Sequence, residues 1–508
     1  MTEISRRDMI AISSAAALLP GSLQAQTGQA PAGVSAGAAF SWQGLVAKAQ
    51  ALSRTPHVPT PANADAGKIG YDALHKAQFR PERSLWGDMP GATAVRLFPL
   101  SGTANQPVSI NIVERGQARP LAYDPTMFDM TPDNPVAALG PDAGFAGFRI
   151  MNAARDADWL VFMGASYFRA SGAEKQFGLS ARAVTIDISQ GPEEFPRFTT
   201  FWLERTGDSM LVVHALLDGP SITGAYRFTN SLDAQGVHQT VEAALFPRRT
   251  IAELGLMPMT SMFWYDQAHR PLATDWRPEI HDSDGLLIRS DTGAARFRAL
   301  TNPRAPRTTR YSERNPGGFG LLQRDRTFDH YQDDGVFYER RPSLWMTPGK
   351  PLGSGEVRLY EFPTDSEYTD NVCCYWTPGK PVSAGQRINA SYRLDWQSSE
   401  PAGRLPLAKV ENIWRGSSDA PGAQGPQAAI RLVVDFAGLG ARTDLLVDAA
   451  TTGGTILKKA AYPVLARQGV WRTVLDIQPA GPAAVDVQLS LMDGGVMVSE
   501  KFSYPLSP

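Results

Sequence analysis

Residues 198–217 read FTTFWLERTGDSMLVVHALL, two apolar runs (198–206 and 209–217) joined through Gly207-Asp208. Each run is short and rich in aromatic, β-branched and threonine residues, the side chains that suit a pleated, half-buried surface. Gly and Asp between them form a turn signal, so the stretch predicts two adjacent strands. The pattern repeats outward: DWLVFMGASYFRA (158–170), AVTIDIS (183–189), ITGAYRFTN (222–230) and VHQTVEAALFPR (237–248) are of the same kind. With 46 glycines and 39 prolines, the chain has punctuation for many short connections. A single helix-like segment, WQGLVAKAQALSR (42–54), opens the series, and no helical period recurs as a βαβ architecture would need. The expectation is an all-β protein of stacked antiparallel sheets.

At 508 residues the chain exceeds one ordinary core. Past residue 380 the texture changes. RINASYRLDWQ (387–397) alternates, SSEPAGRLP (398–406) breaks it, and three more strand-like runs follow, AIRLVVDFAG, GVWRTVLDIQ and AVDVQLSLMDGGVMVSEKFSYPL. The last holds Asp493-Gly494-Gly495 between alternating runs, a hairpin signal. The division expected is a large sandwich over 40–400 and a small immunoglobulin-like sandwich over 401–508. GLGAR (438–442) lacks the third glycine of a dinucleotide fingerprint and reads as a turn.

Composition excludes several functions. Hydrophobic residues make up 43% and charged residues 20%, and Lys+Arg (49) nearly balance Asp+Glu (51). No basic stripe is available for a phosphate backbone, so nucleic acid is not a partner. No apolar run after the N-terminus reaches the ~18 residues that span a bilayer. SRRDMIAISSAAALLPGSLQAQ (5–26) has paired arginines, a short apolar run and Ala25 as a cleavage point, which predicts a twin-arginine signal peptide over 1–25 and export to the periplasm. Residues 26–39 read as flexible linker. Cys373 and Cys374 are adjacent and cannot staple distant segments, so they read as small strand residues. The seven histidines show no ligand spacing, so neither a metal nor another cofactor is expected.

Acidic residues concentrate in three segments: DWRPEIHDSDGL (275–286), RDRTFDHYQDDGVFYERRPSLW (324–345) and EFPTDSEYTDN (361–371). Any one of these carboxylates is better read as a turn cap or an arginine partner. Together they share a region with SMFWY (261–265), Trp276, Tyr331, Tyr338, Trp345, Tyr368 and Trp376. Sugars present apolar ring faces ringed by hydroxyls, and cleaving a glycosidic bond needs two carboxyl groups in different protonation states. The residues alone point to a carbohydrate-active protein and do not name the sugar.

EIHDSDGL (279–286), NPGGFGLLQRDRTFDHYQDDGVFYERRPSLW (315–345) and PTDSEYTDN (363–371) resemble the osmoregulated periplasmic glucan biosynthesis family (OpgG/OpgD, or MdoG/MdoD). YDALHKAQFRPERSLW (71–86) and EEFPRFTTFW (193–202) resemble it as well. The twin-arginine leader is similar to that of the D-type branch. The resemblance implies a large galactose-mutarotase-like β-sandwich followed by an Ig-like one. It also implies inverting, endo-acting chemistry on β-1,2-glucan, with Asp370 as general acid and Asp282 as general base. Tyr338 and Glu367 fall near the reaction centre of that pattern. On this view Tyr331, Trp276, Trp264 and Arg326 complete the sugar-binding set, with Tyr331 and Tyr338 meeting sugar on a groove wall formed by 324–345. Asp333 and Asp334 are assigned structural roles. Asp370 should stay protonated near neutral pH through burial or neighbours such as Glu367. Cys373-Cys374 departs from the small apolar residues usual after the acid. Two other readings stay open: a transglycosylase that joins or cyclises glucan, and a non-catalytic binding protein that serves a membrane-bound glucan synthase.

Overall fold

The computed structural model describes residues 37–400, 407–418 and 429–507. The leader expected at 1–25 and most of the linker lie outside these residues. The linker's end does not behave as expected. Ala38–Ala39 forms a short strand paired with Gln117 and Ala118, because the adjacent strand Gln117–Pro120 offers an unpaired edge. The helix follows at Trp42–Leu52, and Ser41 caps it by accepting from the Gly44 amide at 3.0 Å. Its Leu45, Val46 and Ala49 are buried against one sheet's outer face, beside Trp202, Leu216 and Ala225.

Two large sheets stack. One has 16 strands among the described residues, the other 10. The opening hairpin is Arg197–Gly207 against Met210–Asp218, with Phe201 opposite Ala215. It continues antiparallel through Ile222–Asp233, Gly236–Pro247 and Ile388–Gln397. DWLVFMGASYFRA is not one strand. It folds into a hairpin of Asp158–Met163 and Tyr167–Ala170, because Gly164 sits at φ +71 in the turn. Phe162 and Phe168 of this smaller sheet meet Phe201 and Phe228 of the larger at 5.0–5.7 Å between ring centroids. Each such ring, fully buried, contributes about 1.5–3 kcal/mol.

From Ala408 on, a four-stranded sheet (Lys409–Ser417, Ile430–Ala437, Val470–Pro479, Gly454–Pro463) packs over Val485–Asp493 and Lys501–Leu506. These last strands are not hydrogen-bonded only among themselves. Lys501–Leu506 lies parallel to Ala295–Ala299, Phe502 opposite Phe297, so the large sheet runs on into the C-terminal region. The hairpin at 493–496 turns through Gly494 and Gly495 at φ +54 and +85, which a two-residue turn of this kind requires. Among the described residues no helix is long and apolar enough to cross a membrane.

Candidate active site

The site is organised around the Met262–Phe263 segment, where a break at Met262 separates the strands Leu254–Ser261 and Phe263–Tyr265. On one side runs Ile280–His281, where His281 pairs with Phe263 and the Asp282 amide donates to the Met262 carbonyl at 2.8 Å. On the other side Val372 pairs with Ser261, and Asn371 clamps Phe263. Its Oδ1 accepts from the Phe263 amide at 2.9 Å and its Nδ2 donates to the Phe263 carbonyl at 3.0 Å. Asp282 and Asp370, 88 positions apart in sequence, therefore flank a single backbone segment, about two strand spacings or ~10 Å across.

The two aspartates occupy different environments. Asp282 is fully buried and its Oδ1 accepts from Arg341 Nη1. Asp370 is half-buried, at the end of the loop after Ser354–Glu361. It lies close to Tyr167 and Cys373. Burial pushes both of those groups up, Arg182 opposes this, and the charges of Glu193 and Asp370 add to it. Cys373 and Cys374 are buried free thiols in the strand Val372–Pro378.

Arg341 links Asp282 to the remaining candidates. Its guanidinium lies 3.9 Å from the centroid of the Tyr338 ring, and the Tyr338 hydroxyl donates to Glu367 Oε2 at 2.5 Å. Glu367 also accepts from Arg277 at 3.0 Å, and Arg277 reaches Asp275 at 2.9 Å and Asp333 at 2.7 Å. Asp333 in turn caps the amides of Gly335 and Val336 at 2.9 Å. The charges of 324–345 are thus largely latches between loops.

Tyr331 and Tyr338 do not present faces to a groove. Both are fully buried and stack on each other at 5.8 Å, because they pack into an apolar cluster with Met262, Tyr265 and Ile280. Tyr338→Ala would therefore remove a core ring as well as a hydroxyl. Arg326 is likewise a clamp, donating to the carbonyls of Glu339 (3.0 Å), Arg341 and Ser398 (2.9 Å). Trp276 is 70% exposed, and Trp264 is half-buried with its ring edge-on to Tyr265 at 5.3 Å. Tyr368, 43% exposed on the loop that carries Asp370, is a second open aromatic face. Arg341, one of the arginines of 324–345 expected to pair with aspartates, does so with Asp282. Arg277 and Asn371 were not singled out from sequence, and only Arg277, a lone cation between Asp275 and Glu279, carried a local signal.

Beneath Asp282, His281 is fully buried and stacks on Phe263 at 5.5 Å. Both ring nitrogens face oxygens, Nδ1 toward Gln323 Oε1 and Nε2 toward Glu279 Oε2, each at 3.1 Å, the arrangement of a doubly protonated ring. Burial works against the charge, but Glu279, Asp284 and Asp266 outweigh it and raise His281 from 6.5 to about 10. A histidine raised in this way stabilises the fold fully below pH 6.5 and loses that contribution as pH climbs through 10. Glu279, held up to about 7 mainly by burial, adds a decline of the same sign between 4.5 and about 7. Urea midpoints should therefore fall between pH 6.5 and 10, and fall less in His281→Gln. An equal fall in the variant would assign the slope to other groups.

The fold also brings ligand atoms of Glu279, Asp325 and His330 within 4.8 Å of one another, which spacing in the sequence did not suggest. Glu279 already meets His281, and Asp325 meets His330, so the cluster is explained by its own pairing.

The family model described as "Periplasmic glucan biosynthesis protein, MdoG" matches residues 40–506. "Glucans biosynthesis protein D 2" of Ralstonia nicotianae is 37% identical, covering 99% of this chain and 98% of the relative. "Probable glucans biosynthesis protein D" of Shewanella oneidensis is 40% identical over 87% of this chain and 83% of its own length. Among solved structures, a galactose mutarotase related enzyme from Lactobacillus acidophilus covers 52% of this chain and 94% of itself, at 9% identity and a TM-score of 0.23. The matched span and the near full-length relatives place the chain in the family of periplasmic glucan biosynthesis proteins, on its D branch.

Proposed function

We propose that this periplasmic glucan biosynthesis protein is an inverting endo-β-1,2-glucanase that trims periplasmic glucan. The observation that carries the reading is the approach of Asp282 and Asp370 to one segment from opposite sides. Their backbones stand about two strand spacings, ~10 Å, apart, a scale on which two carboxyl groups can reach the ~6.5–9.5 Å that admits one attacking water. Asp370, half-buried and beside an exposed aromatic loop, donates a proton to the departing glycosidic oxygen. A water attacks the anomeric carbon from the other face and its proton passes to Asp282. Because Asp282 is fully buried, that proton travels through a relay, and the Tyr338 hydroxyl with Glu367 forms the adjoining hydrogen-bonded pair. Trp276 and Tyr368 supply the ring faces for sugar.

One observation favours a second reading, a glucan-binding protein without catalysis. Asp282 is ion-paired to Arg341 inside the fold, as a structural carboxylate would be. Incubating purified protein with linear β-1,2-glucan separates the two. Shorter β-1,2-linked products of inverted anomeric configuration are expected by size and NMR analysis. Binding with no cut or transferred chain hands the assignment to the second reading, and cyclic or lengthened products indicate a transglycosylase.

A further inference from the structure

A cavity of about 760 Å³ lies apart from the Met262–Phe263 segment, at the seam between the 324–330 stretch and the C-terminal four-stranded sheet. Its walls bring together Arg324, Lys409, Glu411, Trp414, Arg467 and Arg472. Few of its lining residues are apolar by type, but the carbon stems of the charged ones add apolar surface, so polar groups stand among apolar faces. It does not suit a polyanion, because its cations are already paired. Arg324 and Lys409 share Glu400 at 2.8 and 2.9 Å, Arg467 meets Glu411 at 2.7 Å, and Arg472 meets Asp435 at 2.8 Å. Paired carboxylates and guanidiniums keep spare lone pairs and N–H groups, which suit a neutral ligand rich in hydroxyls. Trp414 adds an aromatic ring, half-buried and held by the Arg472 guanidinium at 4.9 Å from its centroid. The volume falls within the ~300–1,000 Å³ of ligand sites, space for several hexose rings.

The seam is also tied to the candidate active site. Arg326 lines the cavity, donates to the Ser398 carbonyl on its wall, and donates to the carbonyl of Arg341, the partner of Asp282. From this we infer that the seam is a second glucan-binding site, a remote subsite that holds a distant stretch of the same polymer. The inference rests on the glucan reading above and adds a length dependence to it. A chain long enough to occupy both sites binds by linked contacts, whereas a short oligosaccharide reaches only one.

The test titrates full-length protein carrying Asp370→Asn, to prevent turnover, with linear β-1,2-glucan polymer and with a β-1,2-linked hexasaccharide. Adding Trp414→Ala should weaken polymer binding about tenfold, the scale of one lost aromatic contact, and leave the hexasaccharide unchanged. Trp414→Phe, which keeps a ring, should recover most of the loss. Glu411→Gln, at an exposed position, should weaken polymer binding in the same selective way and guards against misfolding of the alanine variant. Polymer affinity unaltered in both Trp414→Ala and Glu411→Gln overturns the seam site and leaves the catalytic proposal standing. Equal weakening for polymer and hexasaccharide overturns the length dependence. If the parent protein binds neither sugar, the seam site and the glucan reading fall together.

Discussion

Asp370→Asn is expected to slow cleavage of linear β-1,2-glucan at least ~10²-fold, the size of a lost general acid, while glucan binding stays largely intact. The amide keeps the shape of the side chain and removes the transferable proton. Asp282→Asn should cost a similar factor, since an amide cannot accept the proton released by water. It also leaves Arg341 facing a neutral partner, so its thermal midpoint has to be measured beside its rate. Asp333→Asn and Asp365→Asn serve as controls. The first loosens the Arg277 latch, the second alters an exposed loop carboxylate, and either should lose activity only in step with folding. Wild-type cleavage by Asp370→Asn would remove the proposed acid.

Arg341→Met is expected to destabilise the fold by about 3–5 kcal/mol, the cost of leaving one member of a buried ion pair uncompensated. The side chains of Arg341 and Asp282 are 3% and 0% exposed, so solvent cannot take over the lost partner. Methionine fills a comparable volume over the Tyr338 ring, so the change removes the charge and the two hydrogen bonds that Arg341 donates to the Val336 carbonyl at 3.3 Å. Chemical denaturation should show a lower midpoint, and the double variant Arg341→Met with Asp282→Leu should recover much of it. A single variant as stable as the parent would mean that Asp282 is satisfied by other groups.

Much of the fold was legible because strand signals are local. Period-two alternation and turn residues sit in the sequence beside the strands they define, as in 198–217 and at Gly494-Gly495. The missed hairpin within 158–170 had only Gly164 to mark it, and a lone glycine inside an apolar run is weak punctuation. The seam between Phe297 and Phe502 had no local signal, because pairing between distant strands depends on which edges are left open. The site divides in the same manner. The carboxylate-rich segments and their aromatics stood out by composition. That Tyr331 and Tyr338 are buried, and that Arg326 grips carbonyls, depends on loops closing over them, which residue type does not reveal. Asn371 was invisible for a related reason. An asparagine beside an aspartate looks like turn chemistry until the backbone it clamps is in place.

The parallel pairing of Ala295–Ala299 with Lys501–Leu506 also bears on how the molecule is made. Arg296 lies opposite Lys501, 205 positions further along the chain. At ~5–20 residues per second, a ribosome needs roughly 10–40 s to deliver that partner. Throughout that interval one side of Ala295–Ala299 is an open edge, able to pair with another nascent chain. Burial of Phe297 against Phe502 is then among the last events of synthesis. Premature stops after residue 400 should therefore leave an aggregation-prone product instead of a smaller working protein.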